Sequence, residues 1–227
     1  MSRATLTSLD SSLYPQVWGQ LTFTDPHGLL MALLKSDLAL VPNDFTKRLL
    51  ANDTYQDWIN ATVFGRYIQR SFEAFYRQTE DSFNMDMPAL FRAELLRHAQ
   101  YLPLEQVLFV AGTMPKSARL DKLFTTTVNP ATAALNAQKA KQNALKLGQQ
   151  DSQTLIINQI TVVGKQVVGF PIRHNKRTSE RTRNEVLILD FNDLRLVNEQ
   201  VLDNETPTTN TAMPNDTAVV LRYYELR

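Results

Sequence analysis

The chain has 227 residues, 43% of them hydrophobic and 21% charged, with a formal net charge of +1 and no cysteine. That composition belongs to a globular chain able to bury a sizeable core. It excludes disulfides, thiolate zinc sites and a cysteine nucleophile, and it leaves no global field to recruit nucleic acid or membrane. No apolar run approaches the ~20 residues of a membrane span, and no apolar stretch follows Arg3 as a signal peptide would require. A soluble protein acting in the cytoplasm, a host's included, is the expectation.

Residues 1–20 are polar and read as loosely ordered. From Pro26 the signals are helical. Asp25 can cap a helix whose Leu29, Leu30, Leu33 and Leu34 recur at helical spacing. Asn43 or Asp44 caps a second, carrying Phe45, Leu49 and Leu50. After Asn52-Asp53 a long amphipathic helix is expected, with Trp58, Ile59, Val63, Phe64, Tyr67, Ile68, Phe72, Phe75 and Tyr76 forming a core-facing face with an aromatic stripe. Pro88 opens another over Ala89 to Tyr101, with Leu90, Phe91, Leu95 and Leu96 turned inward.

The character changes at Pro103. Gln106 to Ala111 reads as a strand ending at Gly112, and Leu123 to Val128 as a second. Asn129-Pro130 starts a helix that stops at the C-cap residue Gly148. Thr154–Val163, Lys165–Ile172, Glu185–Leu189, Leu194–Val201 and Ala218–Leu226 read as strands. The Pro-interrupted segment DNETPTTNTAMPND between the last two is an exposed loop. The fold class is therefore α+β: a helical region over 1–102, packed on a β-rich core over 103–227. The strands are joined by loops too short for crossover helices, so antiparallel pairing is expected.

Chemistry concentrates between Phe170 and Val197. A basic loop (Arg173, His174, Lys176, Arg177, Arg181, Arg183) leads to Glu185, at the lip of the apolar run Val186–Leu189. Two readings of Glu185 are open: a solvated strand-end carboxylate, or an acid held rigidly enough for catalysis. The Thr125–Thr127 run is likewise either a half-exposed strand of high β propensity or a row of hydroxyls walling a site. The basic loop is either simply solvated or a contact for a phosphate-rich partner.

Three pieces in order, the strand ending Val110-Ala111-Gly112, FTTTVNPATAALNA and TRNEVLIL, resemble the catalytic core of mono-ADP-ribosyltransferases over roughly residues 85–225. The resemblance implies a split antiparallel sheet around a cleft for NAD⁺, with Gly112, Phe124, Thr125 and Arg119 as cofactor contacts. It implies Glu185 as the catalytic carboxylate, with Thr125 and Thr127 orienting it and the nicotinamide ribose. A carboxylate suits that task because positive charge develops on the ribose as the nicotinamide bond breaks. Such enzymes serve as toxins, effectors or phage-encoded modifiers, and the partner implied is a macromolecular acceptor, protein or nucleic acid.

Two positions depart from the family pattern. Ala111 stands where an arginine binds the cofactor phosphates, a bidentate task Ala cannot do; Arg119 or Arg77 could substitute. Arg183 stands where a Glu or Gln helps select the acceptor, so Arg177, Arg181 and Arg183 suit an acidic or phosphate-rich acceptor better than a protein arginine. A catalytically silent module that captures a partner through the basic loop, and an assembly protein with no small-molecule site, are the alternatives. The three histidines form neither a metal triad nor a Ser-His-Asp arrangement, and no Gly-rich phosphate loop is present.

Overall fold

The computed structural model describes residues 3–9, 13–14, 16–18, 21–23, 25–34, 42–61, 88–112, 114, 124–146, 154–172, 185–202 and 218–227. They form an α+β arrangement of five helices, a short hairpin and two four-stranded sheets. The expected helix stop at Gly148 and the polar segment over 203–216 lie outside the described residues. The hairpin pairs β1 (Gln16–Trp18) with β2 (Leu21–Phe23).

Local chemistry accounts for the helix starts. Asp25 accepts the Gly28 N–H at 2.7 Å ahead of α1 (Pro26–Leu34), with Pro26 at a first-turn position that needs no donor. Asn52 accepts the Tyr55 N–H at 2.9 Å and separates α2 (Pro42–Ala51) from α3 (Asp53–Ala61). Tyr55, Trp58 and Ile59 are buried, in keeping with the aromatic stripe; its continuation from Val63 to Tyr76 lies outside the described residues.

Helix α4 (Ala89–His98) ends before the expected Tyr101, because Gln100–Tyr101 form β3 instead. Leu90 is not turned inward but 85% exposed. The 3.6-residue period stacks Phe91 beneath Leu95 and swings Leu90 about 100° away toward solvent.

One sheet has the order β3-β7-β8-β5, built from Gln100–Tyr101, Val168–Pro171, Val186–Asp190 and Phe124–Thr126, all antiparallel. The other has the order β4-β6-β10-β9, from Val107–Ala111, Leu155–Val162, Val219–Leu226 and Leu194–Leu202. Here β6 and β10 run parallel, against the all-antiparallel expectation. They are not consecutive: the chain leaves β6, builds β7 and β8 in the other sheet, and returns through β9, a connection long enough to reverse direction. A bridge between Phe109 and Thr127, with N–O distances of 2.8 and 3.0 Å, ties β4 to the end of β5 and so couples the two sheets.

Strand β8 is buried on both faces. Val186 and Ile188 join the largest apolar cluster, while Leu187 and Leu189 pack with Leu95, Val168 and Phe170 beneath α4. Helix α5 (Pro130–Lys146) lays Ala133, Ala134 and Ala137 against Phe109, Ile157 and Leu221, small side chains letting the helix approach the sheet.

In the N-terminal stretch, the described residues 3–9 and 13–14 are not loose. Leu6, Leu9, Leu13 and Tyr14 are all buried. Tyr101 exchanges backbone hydrogen bonds with Ala4 and Leu6 at 2.9 Å each, and Trp58 donates to the Thr7 carbonyl at 2.6 Å. A polar stretch with sparse leucines carries no local period, so its order arises from these distant partners.

Candidate functional site

The pairing of β5 with β8 builds the site. Thr125 lies opposite Leu187 and Thr126 opposite Val186. One further step along this antiparallel ladder brings Thr127 opposite Glu185. The backbone of Glu185 is held from the other side, its carbonyl accepting the Ile172 N–H at 2.8 Å. A lone acid and a hydroxyl strand far apart in sequence thus converge.

The contacts there are specific. The Thr127 hydroxyl donates to Glu185 Oε2, and the Val128 N–H donates to the same oxygen at 3.0 Å. Thr127 Oγ1 in turn accepts the Asn129 N–H at 3.0 Å. Asn129 caps α5, its Oδ1 accepting from Ala131 at 3.0 Å and Thr132 at 3.4 Å, with Pro130 next in line. The Glu185 carboxylate therefore sits beside the N-terminal end of a 17-residue helix, where the helix dipole favours negative charge. The glutamate has no exposed surface; buried charge needs donors, and the Thr127–Val128 turn supplies two, both to Oε2.

Tyr14, from the N-terminal side, adjoins the site at Val128. It is 4% exposed. Its hydroxyl donates to the Val128 carbonyl at a long 3.4 Å, and its ring packs on Phe45 with centroids 5.6 Å apart. Burial pushes the Tyr14 phenol well above its ordinary range, and the nearby Glu185 charge pushes in the same direction.

Burial corrects several expectations. Glu185 is not a solvated strand-end acid. Thr125, Thr126 and Thr127 are not half exposed: all three are buried. Thr126 spends its hydroxyl on the Val186 carbonyl at 3.0 Å. Phe124 is a core residue, fully buried and edge-on to Phe191 at 6.1 Å, rather than the wall of an open cleft.

Gly112 ends β4 with φ 82°, a left-handed conformation that suits glycine. Its carbonyl accepts a 2.6 Å hydrogen bond from Asn158. It lies three residues past the Phe109–Thr127 bridge and has no described contact with Glu185. Ala111 packs toward the α5 cluster. The basic loop from Arg173 to Arg183, with Arg177 and Arg181 in it, lies outside the described residues, as do Arg119 and Arg77.

Sequence reasoning missed Tyr14, the Val128 amide and Asn158. No local pattern marks the first two, because both depend on which strand neighbours which. Asn158 offered a signal: a lone amide inside the apolar run Leu155–Val162. It is fully buried and donates to the carbonyls of Val110 at 3.1 Å and Gly112, fastening the end of β4.

The donor set at Glu185 fits the chemistry of a ribose-directed carboxylate; the space does not, since acid and threonines are enclosed. An open groove of about 440 Å³ lies elsewhere, lined by Val163, Gly164, Lys165, Gln166, Asn192 and Arg227. Among the described residues no group of His, Asp and Glu is arranged to hold a metal ion, and no helix is long and apolar enough to cross a membrane. No protein-family model matches the chain, and no curated protein or solved structure does.

Proposed function

We propose that this chain is an NAD⁺-dependent mono-ADP-ribosyltransferase whose acid is Glu185. The observation that carries the reading is the convergence of Glu185, Thr127 and the Val128 amide at the head of α5. The dinucleotide would supply a labile nicotinamide–ribose bond and the ADP-ribosyl group to be transferred. Glu185 would bind the ribose hydroxyls and face the positive charge that grows on the sugar; a carboxylate already fixed by two donors loses little freedom in doing so. Thr127 would keep the acid in place, and Thr125 would stand beside it on the same strand. The element order supports the same reading: the strand ending in Gly112, the threonine strand with its Asn-Pro helix, and the Glu-initiated strand follow in the family's sequence, and the last two are neighbours here. Gly112, Thr125 and Arg119 remain the proposed cofactor contacts, and Arg177, Arg181 and Arg183 the contacts to an acidic or phosphate-rich acceptor.

A second reading, a catalytically silent module of the same outline, is favoured by the enclosure of Glu185 and by Ala111, which supplies no cation for a pyrophosphate. Nicotinamide release from NAD⁺ separates the two. The enzymatic reading expects release from the parent chain, abolished by Glu185→Gln. Absence of release, together with no heat on titrating NAD⁺ to millimolar levels, would establish the silent module.

A further inference from the structure

We infer that the open end of the β9–β10 ribbon is the contact face of a two-fold dimer of this chain, in which Arg222 of each copy meets Glu199 of the other. The inference is independent of the reading of Glu185. In the antiparallel pairing of the two strands, Val201 lies opposite Val220, Glu199 opposite Arg222 and Leu196 opposite Tyr224. Opposite residues share a face, as do alternate residues of one strand, so these six side chains form one patch. Arg222 Nε donates to Glu199 Oε2 at 2.5 Å. Burial raises the Tyr224 phenol, while Arg222 lowers it and Glu199 raises it, which sets the ring within reach of both charges.

This face is closed at its inner end, where Leu226, Leu194 and Tyr224 pack into the largest apolar cluster. Toward β9 it opens. Leu196 is 47% exposed and Val201 54%, and the side chains of Arg222 and Glu199 between them are 26% and 42% exposed. Apolar residues flanking a half-buried Arg and Tyr have the make-up of an interface centre. The occupant that fits is a second copy. An axis along the ribbon, midway between its strands, sets β9 of one copy over β10 of the other. Glu199 then faces Arg222, Val201 faces Val220 and Leu196 faces Tyr224, twice each. Each ion pair stays in place and gains the opposite charges of the other copy, whereas a partner of one sign would meet a like charge. Strand addition at the outer edge of β9 is the poorer route. The register skips Val197, a bulge, and the Asn198 side chain already accepts the Glu199 N–H at 2.9 Å; both features blunt an edge.

Sedimentation velocity from about 10 to about 500 µM tests the dimer, a range suited to a small interface. The weight-average mass of the parent should climb with concentration toward twice the monomer's. Arg222→Glu and Glu199→Arg each leave a patch of one sign, so each alone should dimerise at least about tenfold more weakly. An equimolar mixture of the two should regain the parent's association, because an acidic patch then meets a basic one. Leu196→Ser keeps both charges and removes an apolar flank, and it too should weaken the dimer. Circular dichroism checks that each variant is folded; an ion pair this exposed contributes little to stability, and Leu196→Ser carries the test if a charge variant fails to fold. A parent that stays monomeric throughout overturns the proposal. So does a mixture no more associated than its folded components, or a dimer undiminished in the charge variants and in Leu196→Ser.

Discussion

A carboxylate with no exposed surface survives only because backbone and side-chain donors at the head of α5 are arranged for it. Removing the pieces one at a time should separate their contributions. Thr127→Val keeps the shape and deletes the hydroxyl that donates to Glu185; a hydrogen bond to a charged group is worth about 1.5–3 kcal/mol, and chemical denaturation should show a loss of that order. Glu185→Ala leaves the Thr127 hydroxyl and the Val128 amide buried without their acceptor, at about 1–3 kcal/mol each. Glu185→Gln retains an acceptor oxygen, so its unfolding midpoint should lie nearer the parent's than that of Glu185→Ala. A midpoint for Glu185→Gln as low as for Glu185→Ala would mean that the charge itself, not the acceptor geometry, holds the turn.

Tyr14 gives the site a pH dependence with a definite sign. The folded phenol ionises well above its ordinary 10.0 because of burial first and the Glu185 charge second. Above that ordinary value the unfolded chain gives up this proton while the folded chain keeps it, so the folded state binds more protons and stability falls as pH rises. The contribution is fully present below pH 10 and is lost progressively above it. Tyr223 and Tyr224 are raised as well, by burial chiefly, and add to the same slope. Unfolding free energies measured from about pH 8 to about pH 11 should decline in the parent and decline less steeply in Tyr14→Phe. Parallel curves would mean that Tyr14 titrates normally in the folded chain.

At the scale of elements, what the sequence discloses is what short-range physics controls. Apolar runs bounded by Gly, Pro, Asn and Asp placed β4 to β8 and β10 to within a few residues, because burial on one or both faces selects Val, Ile and Leu. Strand β9 was placed as well, although residues 195–201 of it are exposed. The cap at Asp25 and the helix start at Asn129-Pro130 were legible for the same reason: a short polar side chain ahead of an apolar period satisfies amides a helix leaves open. The second helix starts at Pro42, ahead of the expected caps Asn43 and Asp44. Pairing was not legible. That β10 lies parallel to β6, that β5 borders β8, and that Ala4 to Leu6 line up on Tyr101 are choices between distant segments. The convergence of Glu185 and Thr127 could thus be expected from a family likeness, while neither strand read by itself points to the other.

Close packing between elements supplies a further test. A Cβ on Gly169 of β7 would meet the Leu102 side chain at 2.4 Å, and Leu102 is itself buried. Gly169→Ala should destabilise by about 1–3 kcal/mol, the usual cost of overpacking. Combining it with Leu102→Ala, which vacates that space, should cost less than the two single changes added together. Strict additivity would show that the two residues do not press on each other.

For the whole molecule, the largest apolar cluster decides whether the helical and β-rich regions behave as one unit. It joins Leu6, Leu13, Phe45 and Trp58 from the first region to Val110, Phe124, Ile160, Val186 and Leu226 from the second. Neither set can be exposed without uncovering the other, and the Phe109–Thr127 bridge couples the two sheets as well. Cooperative loss of structure follows, because a shared core makes partial unfolding expose apolar area in both regions at once. Fluorescence of the buried Trp58, read in a Trp18→Phe background, reports the helical region, while circular dichroism of the sheets reports the second. In guanidinium the two transitions should coincide in midpoint and slope. If the Trp58 transition came first and left the sheet signal intact, the helical region would be a separable lobe.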